Sequence, residues 1–190
     1  MNEKLFFKTR VVFTALVTLA MWMLLLWEYY HGGVPAHHIL HREDMPAISN
    51  WWGGLLLPLL TWFLMYLIQR RIVNHNNENP DSKKFAIHIV AGFISALLFG
   101  ILLSVFFTFN YATISSYMVI GLFVVGVFLP IYRSEYLLGF VIGMTFTFGA
   151  ALPIAFGAVI VLISVVLYKY VRPILLHITS KILHTGHSNK

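Results

Sequence analysis

Along the chain, long apolar runs alternate with short polar punctuation, and the runs lack the wet stripe of a helix with one face in water. About 20 apolar residues in helical form cross the hydrocarbon core of a bilayer. The pattern therefore predicts an all-α integral membrane protein, a six-transmembrane-helix bundle with spans over residues 9–30, 51–69, 85–109, 113–132, 136–151 and 153–169. No polar stretch is long enough to fold separately, so residues 1–190 are expected to form a single membrane domain. The last two spans share one apolar stretch, Tyr136 to Tyr168, which is too long for a single crossing. Gly149, Ala150, Ala151 and Pro153 mark the expected break and leave a fifth helix of roughly 15 residues.

Two further elements follow from the pattern. The first run has the basic start of a signal peptide (Lys4, Lys8, Arg10), but Trp27, Glu28, Tyr29, Tyr30 and His31 follow it in place of a small-residue cleavage site. An uncleaved first helix is expected. After Pro173, Ile174, Ile178 and Ile182 recur every four residues, with His177, Lys181 and His184 on another face. This predicts an amphipathic helix over 174–184, lying along the membrane surface.

Charge orients the bundle. Of thirteen Lys and Arg residues, twelve fall on one side of this topology and Arg42 alone on the other. Lys and Arg gather on the cytoplasmic side, so both termini are expected in the cytoplasm. The chain would be multi-pass in the plasma (inner) membrane, with the loop after the first span on the extracytoplasmic face. Merging the last two spans would carry Lys169, Arg172, Lys181 and Lys190 outside, against that rule. The same placement accounts for the net charge of +6 without nucleic acid as a partner. Membrane lipids are the expected partners, and a homo-oligomer is open. With 59% hydrophobic and 11% charged residues the composition agrees, and the absence of cysteine removes disulfides, thiolate metal sites and cysteine nucleophiles.

Candidate chemistry concentrates in that extracytoplasmic loop. His31, His37, His38 and His41, with Glu28, Glu43 and Asp44, place four of nine histidines and three of seven acids within about twenty residues. Imidazole and carboxylate together form the ligand set of zinc and related divalent transition metals, or of general acid–base work. Glu28 and Asp44 are the candidate catalytic residues; His31, His37, His38 and His41 are the candidate metal ligands. Pro35 suits a helix start and Pro46 a stop, so a short interfacial helix over 35–44 is expected, with His37, His41 and Asp44 at i, i+4 and i+7. Gly32 and Gly33 would let the chain fold back over the end of the first helix. The plain alternative is a wet interfacial loop, since the same polar spacing recurs at His177, Lys181 and His184.

Three function classes stay open. One is a small membrane-embedded, metal-dependent enzyme acting on a lipid-like or amphipathic substrate at headgroup depth. The second is a small-solute transporter or channel using helices broken near Pro153, with Ser95, Ser104, Thr145 and Thr147 for an uncharged solute. The absence of a mid-membrane charge in the six spans weighs against it. The third is a structural or assembly subunit, for which Gly139 and Gly143, a GxxxG pair, would serve tight helix packing. His88, one turn into the third span, reads as an interfacial histidine. No P-loop, dinucleotide fingerprint or GxSxG is present.

Overall fold

The computed structural model describes residues 3–38, 47–78 and 82–187. Almost all of them are helical: α1 (Glu3–Tyr30), α2 (Gly53–Glu78), α3 (Ser82–Thr108), α4 (Ala112–Phe128), α5 (Ser134–Phe148), α6 (Ala151–Val166) and α7 (Arg172–His187). A two-stranded ribbon, β1 (Ala36–His38) and β2 (Ala47–Ser49), joins α1 to α2. Four stretches are long and apolar enough to cross a membrane: Lys4–Tyr30, Asn50–His75, Lys84–Thr108 and Ala151–Thr179. Their outward faces are apolar too, with Leu16, Met23, Leu59, Leu98 and Leu162 exposed. A surface of that kind suits lipid and not water. The protein is a membrane-embedded helical bundle.

Helices consecutive in sequence run in alternating directions. Met21 and Leu25 of α1 meet Gly53 and Gly54 at the start of α2, and Arg10 stacks on Trp62 further along, so α1 and α2 are antiparallel. Helices α3 and α5 are parallel and very close. A Cβ at Gly139 would collide with the Phe93 carbonyl, and one at Gly143 would sit 2.5 Å from the Leu97 carbonyl. On α3, a Cβ at Gly100 would lie 2.8 Å from the Phe140 carbonyl. The GxxxG pair therefore serves backbone-to-backbone packing, which only residues without a side chain permit. Because α3 and α5 point the same way, residues 109–133 must carry the chain back the full length of the bundle. Asn110, at φ 59°, closes α3 for that return, and Tyr111 N–H donates to the Phe106 carbonyl at 2.9 Å.

The turn between α5 and α6 is made by Gly149, at φ 67° and ψ −176°, a conformation open essentially to glycine alone. Pro153 falls in the first turn of α6, where its missing N–H breaks no helical bond. Leu137 and Val141 of α5 pack on Gly157, so α6 runs back along α5. It ends beside α4, where Tyr132 and Tyr168 lie 5.7 Å apart. A π-helical turn, Leu167–Val171, then leads into α7 without interruption. Residues 174–184 are thus helical and continuous with α6.

One expected element is corrected. The interfacial helix over 35–44 does not begin at Pro35, because residues 36–38 are extended and pair antiparallel with 47–49. The register is Ala36 with Ser49, His37 with Ile48 and His38 with Ala47, and Asn50 N–H extends it to the Pro35 carbonyl at 3.0 Å. The physical cause is that α1 ends and α2 begins side by side, so the chain must go out and return. Pairing the two limbs satisfies backbone groups that a short helix would leave open at both ends. Residues 39–44, including His41 and Asp44, lie outside the described residues.

Candidate functional site

Helix α1 stops at a glycine pair with left-handed torsions, Gly32 at φ 125° and Gly33 at φ 97°. Gly33 N–H returns to the Glu28 carbonyl at 3.0 Å, so the last turn is closed and the chain leaves toward β1. This places Glu28 on the final turn of α1, half-buried. The ribbon then delivers Asn50, which is 4% exposed, to the same end. Asn50 Nδ2 donates to both carboxylate oxygens of Glu28, at 3.1 and 2.9 Å. A carboxylate can only accept, so the amide nitrogen must face it and Oδ1 must face away. Oδ1 points at Gly149, where any Cβ would collide with it.

Three helix ends thus meet at one buried amide: the end of α1, the start of α2 and the turn between α5 and α6. Among the described residues, Asn50 is the sole donor to Glu28, and no cation pairs with it. Among the described residues the carboxylate is thus oriented by an amide and paired with no cation. Such a group is suited to take a proton or to attract a cation.

His31 contributes a second defined group. Its Nδ1 lies 2.8 Å from the Trp27 carbonyl, and its ring stacks on Trp27 with centroids 4.8 Å apart. A carbonyl can only accept, so Nδ1 carries a proton, and in the neutral tautomer Nε2 is the acceptor nitrogen. Metal-bound and general-base histidines are prepared in this way, through a backbone carbonyl on the far nitrogen. His37 and His38 lie on β1, and the structure describes their backbone alone. Among the described residues, no three His, Asp or Glu side chains stand close enough to hold a metal ion. Exposed aromatic rings surround this end: Trp27, Tyr29, Tyr30, Trp51 and Trp52. Such rings mark headgroup depth.

The opposite end of the bundle holds a polar centre of another kind. Arg71 near the end of α2 and Glu135 in the first turn of α5 form an ion pair at 2.7 Å, across 64 residues of sequence. Glu135 is 2% exposed, and its position in the first turn also sets it against the positive end of α5. The hydropathy pattern does not single out this pair, since Glu135 stands in the short polar stretch between two apolar runs. The signal was its spacing. Glu135, Gly139 and Gly143 repeat every four residues, which puts the acid on the face that packs against α3. Of the other polar candidates, Ser95 and Thr145 bond carbonyls of their own helices at 3.0 and 2.7 Å, and His88 Nδ1 lies 2.7 Å from the Lys84 carbonyl. The chain matches no protein-family model, no curated protein and no solved structure.

Proposed function

We propose that the protein is a six-span membrane protein, with both termini in the cytoplasm, whose extracytoplasmic end carries a His/carboxylate site for chemistry on a lipid-like or amphipathic substrate. The observation that carries the reading is the Glu28 carboxylate, held by the amide of a buried Asn50 and neutralised by no described cation. Orienting a carboxylate without neutralising it gains little for stability, but it prepares a general base or a cation ligand. His31, with Nε2 free to accept, is the nearest imidazole in sequence, and His37, His38, His41 and Asp44 on the loop are the further candidates. A divalent transition metal such as zinc is the cofactor this donor set would take, since imidazole nitrogen and carboxylate oxygen are its usual ligands.

The topology rests on three supports. Helix direction alternates from α1 to α6, twelve of thirteen basic residues fall on one side, and aromatic rings ring the histidine end. Helices α4 and α5 have 17 and 15 residues, about 25 and 22 Å of rise, so the bilayer beside them would thin or their flanks would snorkel. The test is elemental analysis of the purified protein, paired with cysteine labelling at residues 2 and 188 from either side of the membrane. The reading expects bound metal that is lost in the double variant H31A/E28Q, and both termini labelled from the cytoplasm. Absence of metal together with unchanged biological activity in that variant would end it.

A further inference from the structure

We propose that the cavity between α1, α2, α3 and α5 at the arginine end is a binding site for an anionic phosphodiester lipid whose headgroup bears hydroxyls. The cavity has a volume of about 320 Å³. Its walls are apolar, with Phe6, Phe13, Ile68 and Phe93 among them, and its polar groups come from Thr9, Arg10, Gln69 and Glu135. An apolar chamber with polar groups from several helices is the shape that an amphipathic molecule fills.

The polar atoms specify the headgroup. Arg10 Nε, Gln69 Oε1 and Glu135 Oε2 are buried and have no hydrogen-bond partner among the described residues. Glu135 is almost wholly buried, and Arg71 occupies its other oxygen. Buried polar atoms left unmatched are costly, so a ligand that completes them is favoured. Gln69 Oε1 and Glu135 Oε2 accept, which calls for O–H or N–H donors, and of these the uncharged hydroxyl adds no further cation to the site. Arg10 Nε donates, which calls for a phosphate oxygen. The guanidinium carbon of Arg10 already lies 4.2 Å from the centroid of the Trp62 ring, so part of its freedom is lost before it binds.

Charge selects among lipids. Arg10 and Glu135 line the cavity, and Arg71, bonded to Glu135, adds a second positive charge, so the three groups sum to +1. A monoanionic head neutralises it. A choline head offers no donor to the two acceptors. An ethanolamine head would set a third cation beside two guanidinium groups. Phosphatidylglycerol has the required chemistry, one phosphodiester charge and two hydroxyls.

The test uses the full chain purified in detergent, with phosphatidylglycerol, phosphatidylethanolamine and phosphatidylcholine of equal acyl length, and bound lipid read by native mass spectrometry. Phosphatidylglycerol should be retained about tenfold over phosphatidylcholine, the scale of one charge-assisted hydrogen bond. Arg10→Gln should abolish the preference, because the positive charge that favours an anionic lipid is gone, and should also lower phosphatidylcholine retention, since that lipid presents the same phosphate to Arg10 Nε. Gln69→Leu should reduce it severalfold, and this variant leaves the Arg71–Glu135 pair intact, so folding is not at issue. Equal retention of the three lipids, or a preference that survives Arg10→Gln, would overturn the proposal. Competition by water-soluble glycerophosphoglycerol at the same concentration would assign the site to a free phosphodiester and would overturn it as well.

Discussion

Glu28 and Glu135 are the same side chain at opposite ends of one bundle, and their surroundings differ in kind. Glu28 is half-buried, and its described donor is a neutral amide. Glu135 is buried almost completely and paired with a guanidinium at 2.7 Å. A deeply buried carboxylate must be compensated, because an isolated ion in a low-dielectric interior is far more costly than any packing gain. A half-buried one beside water can remain uncompensated and only needs orientation. The difference teaches how burial sets the partner: the half-buried acid is held by a neutral amide, while the buried acid is compensated by a guanidinium, joins α2 to α5 and borders a cavity.

The largest effect should come from breaking the compensated pair. Arg71→Ala leaves Glu135 buried and unpaired, and the expected loss is about 3–5 kcal/mol, read as a drop in melting temperature in detergent. The double replacement Arg71→Met with Glu135→Leu should restore stability to within about 1 kcal/mol of the parent. A double variant as unstable as the single one would show that the pair does more than compensate charge.

Next in size is Gly149→Ala. It forces a non-glycine residue into the torsions of the α5–α6 turn and drives a methyl into Asn50, so the expected cost is about 2–4 kcal/mol. Unchanged melting would mean that the turn and Asn50 are not in contact. Asn50→Ala then removes the donor from Glu28 without touching the turn, at about 1–2 kcal/mol by thermal or denaturant unfolding. It should also lower any activity that depends on the Glu28 orientation. Glu28→Gln is expected to be the mildest for stability, less than about 1 kcal/mol, since an amide can still bond to Asn50. Cation binding should nevertheless disappear in this variant. The comparison would reverse if Glu28→Gln were as destabilising as Arg71→Ala.

What could be read beforehand follows from the kind of signal each feature leaves. The helices were legible because hydropathy adds up locally, and twenty apolar residues cannot be satisfied in water in any other way. The small-residue face of α5 was legible as a packing motif but not its partner, since Gly139 and Gly143 could have met any helix. Residues 36–38 form a ribbon strand where the pattern predicts a helix, because Pro35 suits either structure and the closeness of α1 and α2 decides between them. Glu28 stood out by its place at a helix end. Asn50, which orients it, did not, because an asparagine before two tryptophans looks like any interfacial residue.

By itself, then, the sequence determined the membrane setting, the placement of the helices and the concentration of histidine and carboxylate in one loop. Each of these depends on residue type and near neighbours alone. The tertiary structure decided that Asn50 clamps Glu28 across 22 residues and that Arg71 compensates Glu135 across 64. Those pairings depend on how each helix is rotated about its axis, and rotation is set by close packing. Glycine faces on α3 and α5 bring backbones together and thereby turn Glu135 inward. Hydropathy carries no phase within an evenly apolar helix, so along the chain that rotation is marked by the Glu135–Gly139–Gly143 spacing, which does not say which helix the face meets.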